Sequence, residues 1–432
     1  MDRIFYAMIA IAFFSAALPQ LVLDVVAPMY WGLPLADLSP MADLGTGAMS
    51  SAKAAIELAI GLVGYMALFL GLMKVAEAGG MLRIIAKLLR PLMTRLFPDV
   101  PPNHPAMGAM ILNMSANAMG LGNAATPFGI RAMQELEKLN PNPGTATNSM
   151  ALFLAINTSS VTLLPTGVIA IRASLGSQDP SGIMGPTLFA TLCSTAVAIT
   201  ACLFLARFWP VTADPEAPVR VIETPDDDVE DHGSYPIWVS ALAGLALLAF
   251  VPTSIIYGAT IAPWIVPVLI FALLSFGVYQ GVEVYGVLVE GAKDGWDVAV
   301  RIMPFLVAIL AAVGMLRASG ALGLFVDVVG TYTGALGMPA EALPMAVIRP
   351  LSGSGAFGVL MDTMNTYGPD SYIGYLVSTL QGSTETTFYV LAVYFGAVGV
   401  RRIRHSMAAA LMADFAGICA AVIGATWYFG LL

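Results

Sequence analysis

The sequence predicts an all-α polytopic membrane protein made of two inverted repeats. Each repeat holds an interfacial helix, a re-entrant hairpin and a broken transmembrane helix. Three observations carry this expectation. Hydrophobic residues make up 58% of the 432-residue chain and charged residues only 11%, against about 25% charged in an ordinary soluble domain. Apolar runs of about 20 residues, the length that crosses roughly 30 Å of hydrocarbon, recur along the chain. Four segments within this apolar background are too polar for a lipid-facing helix: LNMSANAMGLGNAATPFG, INTSSVTLLPTG, RPLSGSGAFG and QGSTETT.

The first span is expected over Ile4–Leu23. MDRIFYAMIAIAFFSAALPQ has one basic residue, and no clean small-x-small cleavage site follows, which favours an uncleaved span over a signal peptide. The loop Asp24–Ser51 carries no Lys or Arg and is placed outside. Ala54–Val75 is the second span. In GMLRIIAKLLRPLMTRLF, Arg83, Lys87, Arg90 and Arg95 recur at helical intervals, with Leu82, Ile85, Leu89 and Leu92 on the other face. That pattern predicts an amphipathic helix in the membrane interface, and its bases put it on the cytoplasmic side. Pro105–Met133 is apolar but interrupted by Gly, Asn and Pro, and is expected as a re-entrant hairpin. Thr147–Ile171, an interrupted span, and Pro186–Phe208, a plain one, complete the first membrane half, residues 1–210. The stretch 211–235 holds eight acids and only Arg220 as a base. It is an acidic linker by composition.

The second half, residues 236–432, opens with spans at Pro236–Tyr257 and Ala262–Val282. Asp297–Leu316, Gly320–Gly334, Glu341–Met364, Ser371–Val400 and Ser406–Phe429 then repeat the earlier order: span, interfacial helix, hairpin, interrupted span, plain span. The basic charge swaps places between the halves. It sits on the interfacial helix in the first and in RRIRH, Arg401–His405, after the interrupted span in the second. Such a swap indicates opposite orientation, the architecture of many secondary transporters. This topology leaves the N-terminus cytoplasmic and expects a bacterial inner membrane. Arg172 and Arg317 fall on the wrong side of the positive-inside rule.

Unpaired polar backbone costs several kcal/mol in hydrocarbon, so broken segments persist only where protein or water covers them. Four such segments, two from each half, are expected to converge near the midplane around a polar cavity. Glu385 is the sharpest single residue, because a carboxylate at membrane depth costs about 2.5–3.5 kcal/mol on insertion scales. It can bind a cation, exchange a proton, receive a donor group of a solute, or brace the broken backbone beside it. Asn113, Ser115, Asn117 and Asn123 form an amide-rich hairpin. Asn157, Thr158 and Ser159 face it across the repeat, and Ser352, Ser354, Gln381, Ser383 and Thr384 complete the set. Amides and hydroxyls donate and accept, which suits a neutral polar solute or a hard cation; they also bond helices to one another. Arg349 enters the second hairpin, where it attracts an anion or snorkels to the interface. Pro165 and Pro350 break helices beside these segments.

The three cysteines lie in apolar segments without CxxC spacing and suit packing rather than a disulfide framework or zinc. No HExxH, P-loop or G-x-S-x-G pattern occurs, and no basic patch suits a phosphate backbone. Neither an enzyme nor a nucleic-acid binder is expected, and no cofactor beyond a coupling ion.

At these segments the chain resembles a known family. LNMSANAMGLGNAATPFGIRAMQEL with FLAINTSSVTLLPTGVIAIRASLGS resembles spore maturation protein A. IRPLSGSGAFGVLMD with STLQGSTETTFYVLAVYFGAVGVRRIRHS resembles spore maturation protein B. The two are joined here through the acidic linker. Both carry the nucleoside-recognition, or Gate, domain, similar to the hairpin-bearing halves of concentrative nucleoside transporters and of the ferrous iron transporter. The resemblance implies that Asn117, Asn123, Asn157, Thr158, Gln381, Glu385 and the Ser352–Ser354 tip hold solute and ion. Where Glu385 stands in the second broken span, the first has Ser160. The expected function is secondary transport of a small polar solute, nucleoside-like or otherwise, coupled to sodium or protons, by a homo-oligomer. The alternatives are a non-transporting sensor or assembly protein, and an ion conduit; the lack of thiolates and imidazoles in the site segments argues against soft metals.

Overall fold

A computed structural model describes residues 2–22, 39–121, 125–210, 234–334 and 337–430. The acidic linker up to residue 233 lies outside the described residues, as does Asn123. The described residues are helical apart from loops and one isolated bridge between Thr145 and Arg402.

The first half contains α1 (Asp2–Leu21), α2 (Pro40–Ala78), α3 (Met81–Leu96), α4 (Pro105–Ala118), α5 (Thr126–Lys138), α6 (Asn148–Thr158), α7 (Thr166–Ser174) and α8 (Met184–Leu205). The second contains α9 (Ile237–Ile256), α10 (Gly258–Tyr279), α11 (Val284–Ala318), α12 (Ala321–Thr333), α13 (Leu343–Ile348), α14 (Gly353–Tyr367), α15 (Tyr372–Ser383), α16 (Thr387–Val398) and α17 (Ser406–Tyr428). Each expected span falls on a helix or on a broken pair. Among the described residues, five helices are long and apolar enough to cross a membrane, and the chain is a multi-pass membrane protein. Both hairpins form, as α4–α5 and α13–α14. Both interrupted spans are broken, α6 from α7 at Ser159–Pro165 and α15 from α16 at Thr384–Thr386.

Two boundaries differ from expectation. The end of the predicted outer loop, from Pro40, is already helix, and α11 begins 13 residues before Asp297. Hydrophobicity marks where a helix meets lipid, not where it ends. The extra turns of α11 contain good helix formers such as Leu288, Glu290 and Lys293. They also have a partner. α2 and α11 run antiparallel, with Gly47 against Gly314 at one end, Gly295 against Ala67, and Gly291 against Gly71 at the other. Glycines at this seam let the two backbones close up. A β-carbon at Gly295 would lie 2.5 Å from the Ala67 backbone. Gly295→Val is therefore expected to cost about 1–3 kcal/mol by overpacking. Gly244→Ala, at a site with nothing within 4 Å of the new carbon, should not lower the unfolding midpoint in detergent, since alanine is the better helix former.

α8 and α17 also run antiparallel: Gly417 approaches Ser194, Gly424 approaches Pro186, and the Ser194 hydroxyl donates to the Ala413 carbonyl at 2.8 Å. Two long helices of the first half, α2 and α8, thus each lie against a long helix of the second, α11 and α17. The amphipathic α3 buries Leu82, Ala86 and Met93 and leaves Leu92 outward, so its buried stripe is displaced from the one the sequence suggests.

The two arginines that break the positive-inside rule are both paired. The Arg172 guanidinium is fully buried and donates to the Pro369 carbonyl at 2.6 Å, the Asp179 carbonyl at 3.0 Å and Asp370 Oδ1 at 3.0 Å. It lies 5.1 Å from the Tyr375 ring centroid. Arg317 pairs with Asp362 at 2.7 Å. These charges are structural clamps rather than topology signals, and the Arg172 clamp fastens one half to the other.

At the opposite face RRIRH is stitched to the loop before α6. Arg401 and Arg402 amides donate to the Gly144 carbonyl, and Arg404 Nη1 donates to the Ala146 carbonyl at 2.9 Å. His405 is buried beside Cys202 Sγ, 3.4 Å from Nε2. Burial, with the Arg404 guanidinium second, pulls the His405 pKa down to about 4. The folded protein holds this ring neutral, while the unfolded chain binds its proton near pH 6.5. Stability from this group is complete above about pH 6.5 and is lost as pH falls towards 4. Unfolding midpoints should therefore drop across that window, and His405→Gln should remove that part of the slope.

Candidate functional site

Each hairpin tip docks on the break of the helix that follows it. In the first half the Asn117 amide donates to Asn157 Oδ1 at 2.9 Å, and the Leu163 backbone amide donates to the Ala118 carbonyl at 2.9 Å. Gly120 turns the chain with φ 74°, and a side chain there would strike the Leu164 carbonyl. The position thus requires both the left-handed freedom and the small size of glycine. In the second half Arg349 does the fastening. Its Nε donates to the Gln381 carbonyl at 2.9 Å and its Nη1 to Thr386 Oγ1 at 3.0 Å. A cation at the C-terminal end of α15 also complements the helix dipole. The Phe388 amide donates to the Pro350 carbonyl at 3.1 Å, closing the same dock.

The two breaks then touch each other. The Glu385 backbone amide donates to the Thr158 carbonyl at 2.8 Å. Two backbone groups freed by the breaks thereby satisfy one another across the halves, which irregular backbone at membrane depth requires. The Glu385 side chain is 42% exposed and lies 3.5 Å from Arg349 Nη2. Arg349, 7% exposed, does not snorkel. It braces a break and partly offsets the glutamate.

The remaining candidate residues divide by the partners they find. The hydroxyls of Ser115, Thr158, Ser159 and Ser383 donate to carbonyls one turn back in their own helices. Ser352 caps α14 by accepting from the Gly355 amide at 3.0 Å, and Ser354 lies in the first turn of that helix. Asn113 donates to the Ala125 carbonyl at 2.8 Å and to the Tyr394 hydroxyl at 3.2 Å, joining the first hairpin to α16 of the other half. Thr384 is buried with its methyl facing the Gly417 position. Among the described residues, the buried oxygens near the breaks without a hydrogen-bond partner include Asn113 Oδ1, Ser160 Oγ, Thr187 Oγ1, Gln381 Oε1 and Asp414 Oδ1. Unsatisfied buried acceptors are rare in folded proteins and mark places for water, an ion or a ligand.

Asp414 is the residue that sequence reasoning missed. It sits in α17, is 3% exposed, and accepts from Thr387 Oγ1 at 2.7 Å. Thr387 is the first residue of α16, directly after the second break. An acid in the middle of a span was itself a signal, because the cost that singled out Glu385 applies equally to Asp414. ALMADFAGIC has no other polar side chain, and the segment therefore passed as a plain span.

The chain is similar to several known proteins. Spore maturation protein A of Bacillus subtilis (strain 168) is 49% identical over 157 residues, covering 36% of this chain and 80% of its own length. Spore maturation protein B of the same organism is 44% identical over 165 residues, covering 38% of this chain and 93% of its own. The solved structure of CNTnw in an inward-facing substrate-bound state aligns over 98% of this chain and 91% of its own, at 13% identity and a TM-score of 0.44. The nucleoside recognition, or Gate, family matches residues 59–175 and 299–401. Each match takes in one interfacial helix, one hairpin and one broken helix. With about half of its residues matched in two such stretches, the chain belongs to the Gate nucleoside recognition family.

Proposed function

We propose that this protein is a secondary transporter that moves a small polar solute across a bacterial inner membrane, with the paired breaks and hairpin tips forming its gate. The observation that carries this reading is the bond between the Glu385 amide and the Thr158 carbonyl. It joins two broken helices, one from each half, at the point where each receives its own hairpin tip. Rigid bundles do not need four polar interruptions meeting at one place. A gate does, because loosely held backbone ends can part and re-form around a solute.

The antiparallel packing of α2 on α11 and of α8 on α17 supports two inverted repeats, an A-like half over residues 1–210 and a B-like half over residues 236–432. Coupling to protons or sodium falls to Glu385 and Asp414, the two carboxylates beside the second break. A nucleoside-like solute is one candidate cargo, given the name of the family.

Purified protein in vesicles should accumulate a labelled solute down an imposed ion gradient. Glu385→Gln should cut gradient-driven uptake at least tenfold with folding intact. Unchanged pH and sodium dependence in that variant would remove Glu385 from the coupling role. A second reading, a non-transporting platform, draws on the self-satisfied hydroxyls of Ser115, Thr158, Ser159 and Ser383. No binding and no uptake across a broad metabolite set would favour it.

A further inference from the structure

The interfacial helix α3 carries four bases, Arg83, Lys87, Arg90 and Arg95, and no acid in its 16 residues. Arg83, Lys87 and Arg90 stand at i, i+4 and i+7, so they share one stripe of the helix. That stripe lies beside the buried one of Leu82, Ala86 and Met93, and Arg83 is exposed. At 1.5 Å per residue it runs about 10 Å along the axis.

The acidic linker is fastened to this helix at one end. The Tyr235 amide donates to the Lys87 carbonyl at 3.3 Å, and the Lys87 ammonium lies 5.9 Å from the centroid of the Tyr235 ring. α9, which begins just after at Ile237, packs on α3 as well. A base also holds the other end, where Arg404 Nη2 donates to the Trp209 carbonyl.

Five of the linker's eight acids are Asp226, Asp227, Asp228, Glu230 and Asp231, four to nine residues before Tyr235. At about 3.3–3.6 Å per residue, four residues reach at most about 14 Å and nine at most about 30 Å. Arg83 and Arg90 lie only about 6 Å and about 5 Å along the axis from Lys87. All three bases are therefore within reach of the acidic run. Like charges packed into a short run repel one another, and setting them against bases of opposite sign relieves that repulsion.

We propose that the basic stripe of α3 is the docking surface for residues 226–231 of the chain's own linker, which occupy it in place of anionic lipid headgroups. Docking ties the start of the second half to the helix that leads into the first hairpin. It needs no transport and stands apart from the transporter reading.

The full chain in nanodiscs would be treated with a water-soluble carbodiimide, which joins a carboxylate to a lysine amine in contact with it. Mass spectrometry of the digested protein then maps the joined residues. Residues 226–231 should cross-link to Lys87 in the natural chain, and also to position 83 in Arg83→Lys and to position 90 in Arg90→Lys. The yield should fall about fivefold in 1 M salt, where charges are screened beyond about 3 Å. Adding Arg90→Glu to the Arg83→Lys protein should cut the yield at position 83 about threefold, because the new carboxylate repels the run. The nanodiscs would be made once of phosphatidylcholine and once of phosphatidylcholine mixed with phosphatidylglycerol. Cross-links that persist in the mixed discs uphold the linker as occupant. Their loss there would assign the stripe to anionic headgroups and overturn the docking. Cross-links confined to Lys87, which the Tyr235 anchor alone explains, would overturn it too, as would cross-links indifferent to both salt and Arg90→Glu. Chains labelled with heavy nitrogen, mixed with unlabelled ones, separate contacts within one chain from contacts between copies. Cross-links found only between copies would also overturn it.

Discussion

Arg172→Gln is expected to destabilise the protein by about 3–5 kcal/mol, the range for removing one partner of a buried, hydrogen-bonded charge cluster. The physical reason is the number of groups left behind. The carbonyls of Pro369 and Asp179 and the carboxylate of Asp370 all receive hydrogens from this one guanidinium. Glutamine is too short and has too few donors to replace them. The Tyr375 ring would lose its cation as well. Arg317→Gln is the control. Arg317 is 44% exposed and serves a single acid, so its loss should cost less than that of Arg172. Denaturant unfolding in detergent measures both. Equal, small effects would show that Arg172 is not the clamp between the halves.

Asp414→Asn is expected to abolish gradient-driven uptake, with a loss of at least a hundredfold, while the protein still folds. Asparagine keeps the shape and can still accept from Thr387. It cannot exchange a proton or carry the charge that a coupling ion needs. Solute-driven exchange, which needs no net coupling, should survive better than accumulation. The unpartnered Oδ1 of Asp414 beside the second break is the structural basis for this prediction. Full accumulation by the Asp414→Asn protein would assign coupling elsewhere, with Glu385 the remaining carboxylate at the break.

Much of the fold was legible in the sequence because lipid makes the rules strict. A run such as INTSSVTLLPTG or QGSTETT cannot stay helical and unpartnered in hydrocarbon, so its polarity alone marks a break. The structure places breaks at both. The amphipathic pattern of Arg83, Lys87, Arg90 and Arg95 was equally direct. Legibility fell where the answer depended on partners distant in sequence. The bond from Asn113 to Tyr394 spans 281 positions, and no local pattern announces it. Arg172 and Arg317 looked like errors in a charge rule, and only their carboxylate partners show them to be clamps. Asp414 was a different case. Its signal was present, but a single acid in an unbroken apolar run is outweighed by its neighbours in any average taken along the chain.

The claim that the hairpin tips must move against the breaks is tested most directly by locking one of them. Gly353 and Thr386 are neighbours across this dock, since a β-carbon on Gly353 would be 2.8 Å from Thr386 Oγ1, the place a cysteine sulfur at 386 would take. Cysteines would be introduced at these two positions after replacing Cys193, Cys202 and Cys419 with alanine, and gradient-driven uptake would be followed in vesicles before and after oxidation. The gate described here predicts that oxidation stops uptake and that a reductant restores it. Uptake that continues unchanged with the bridge closed would contradict it.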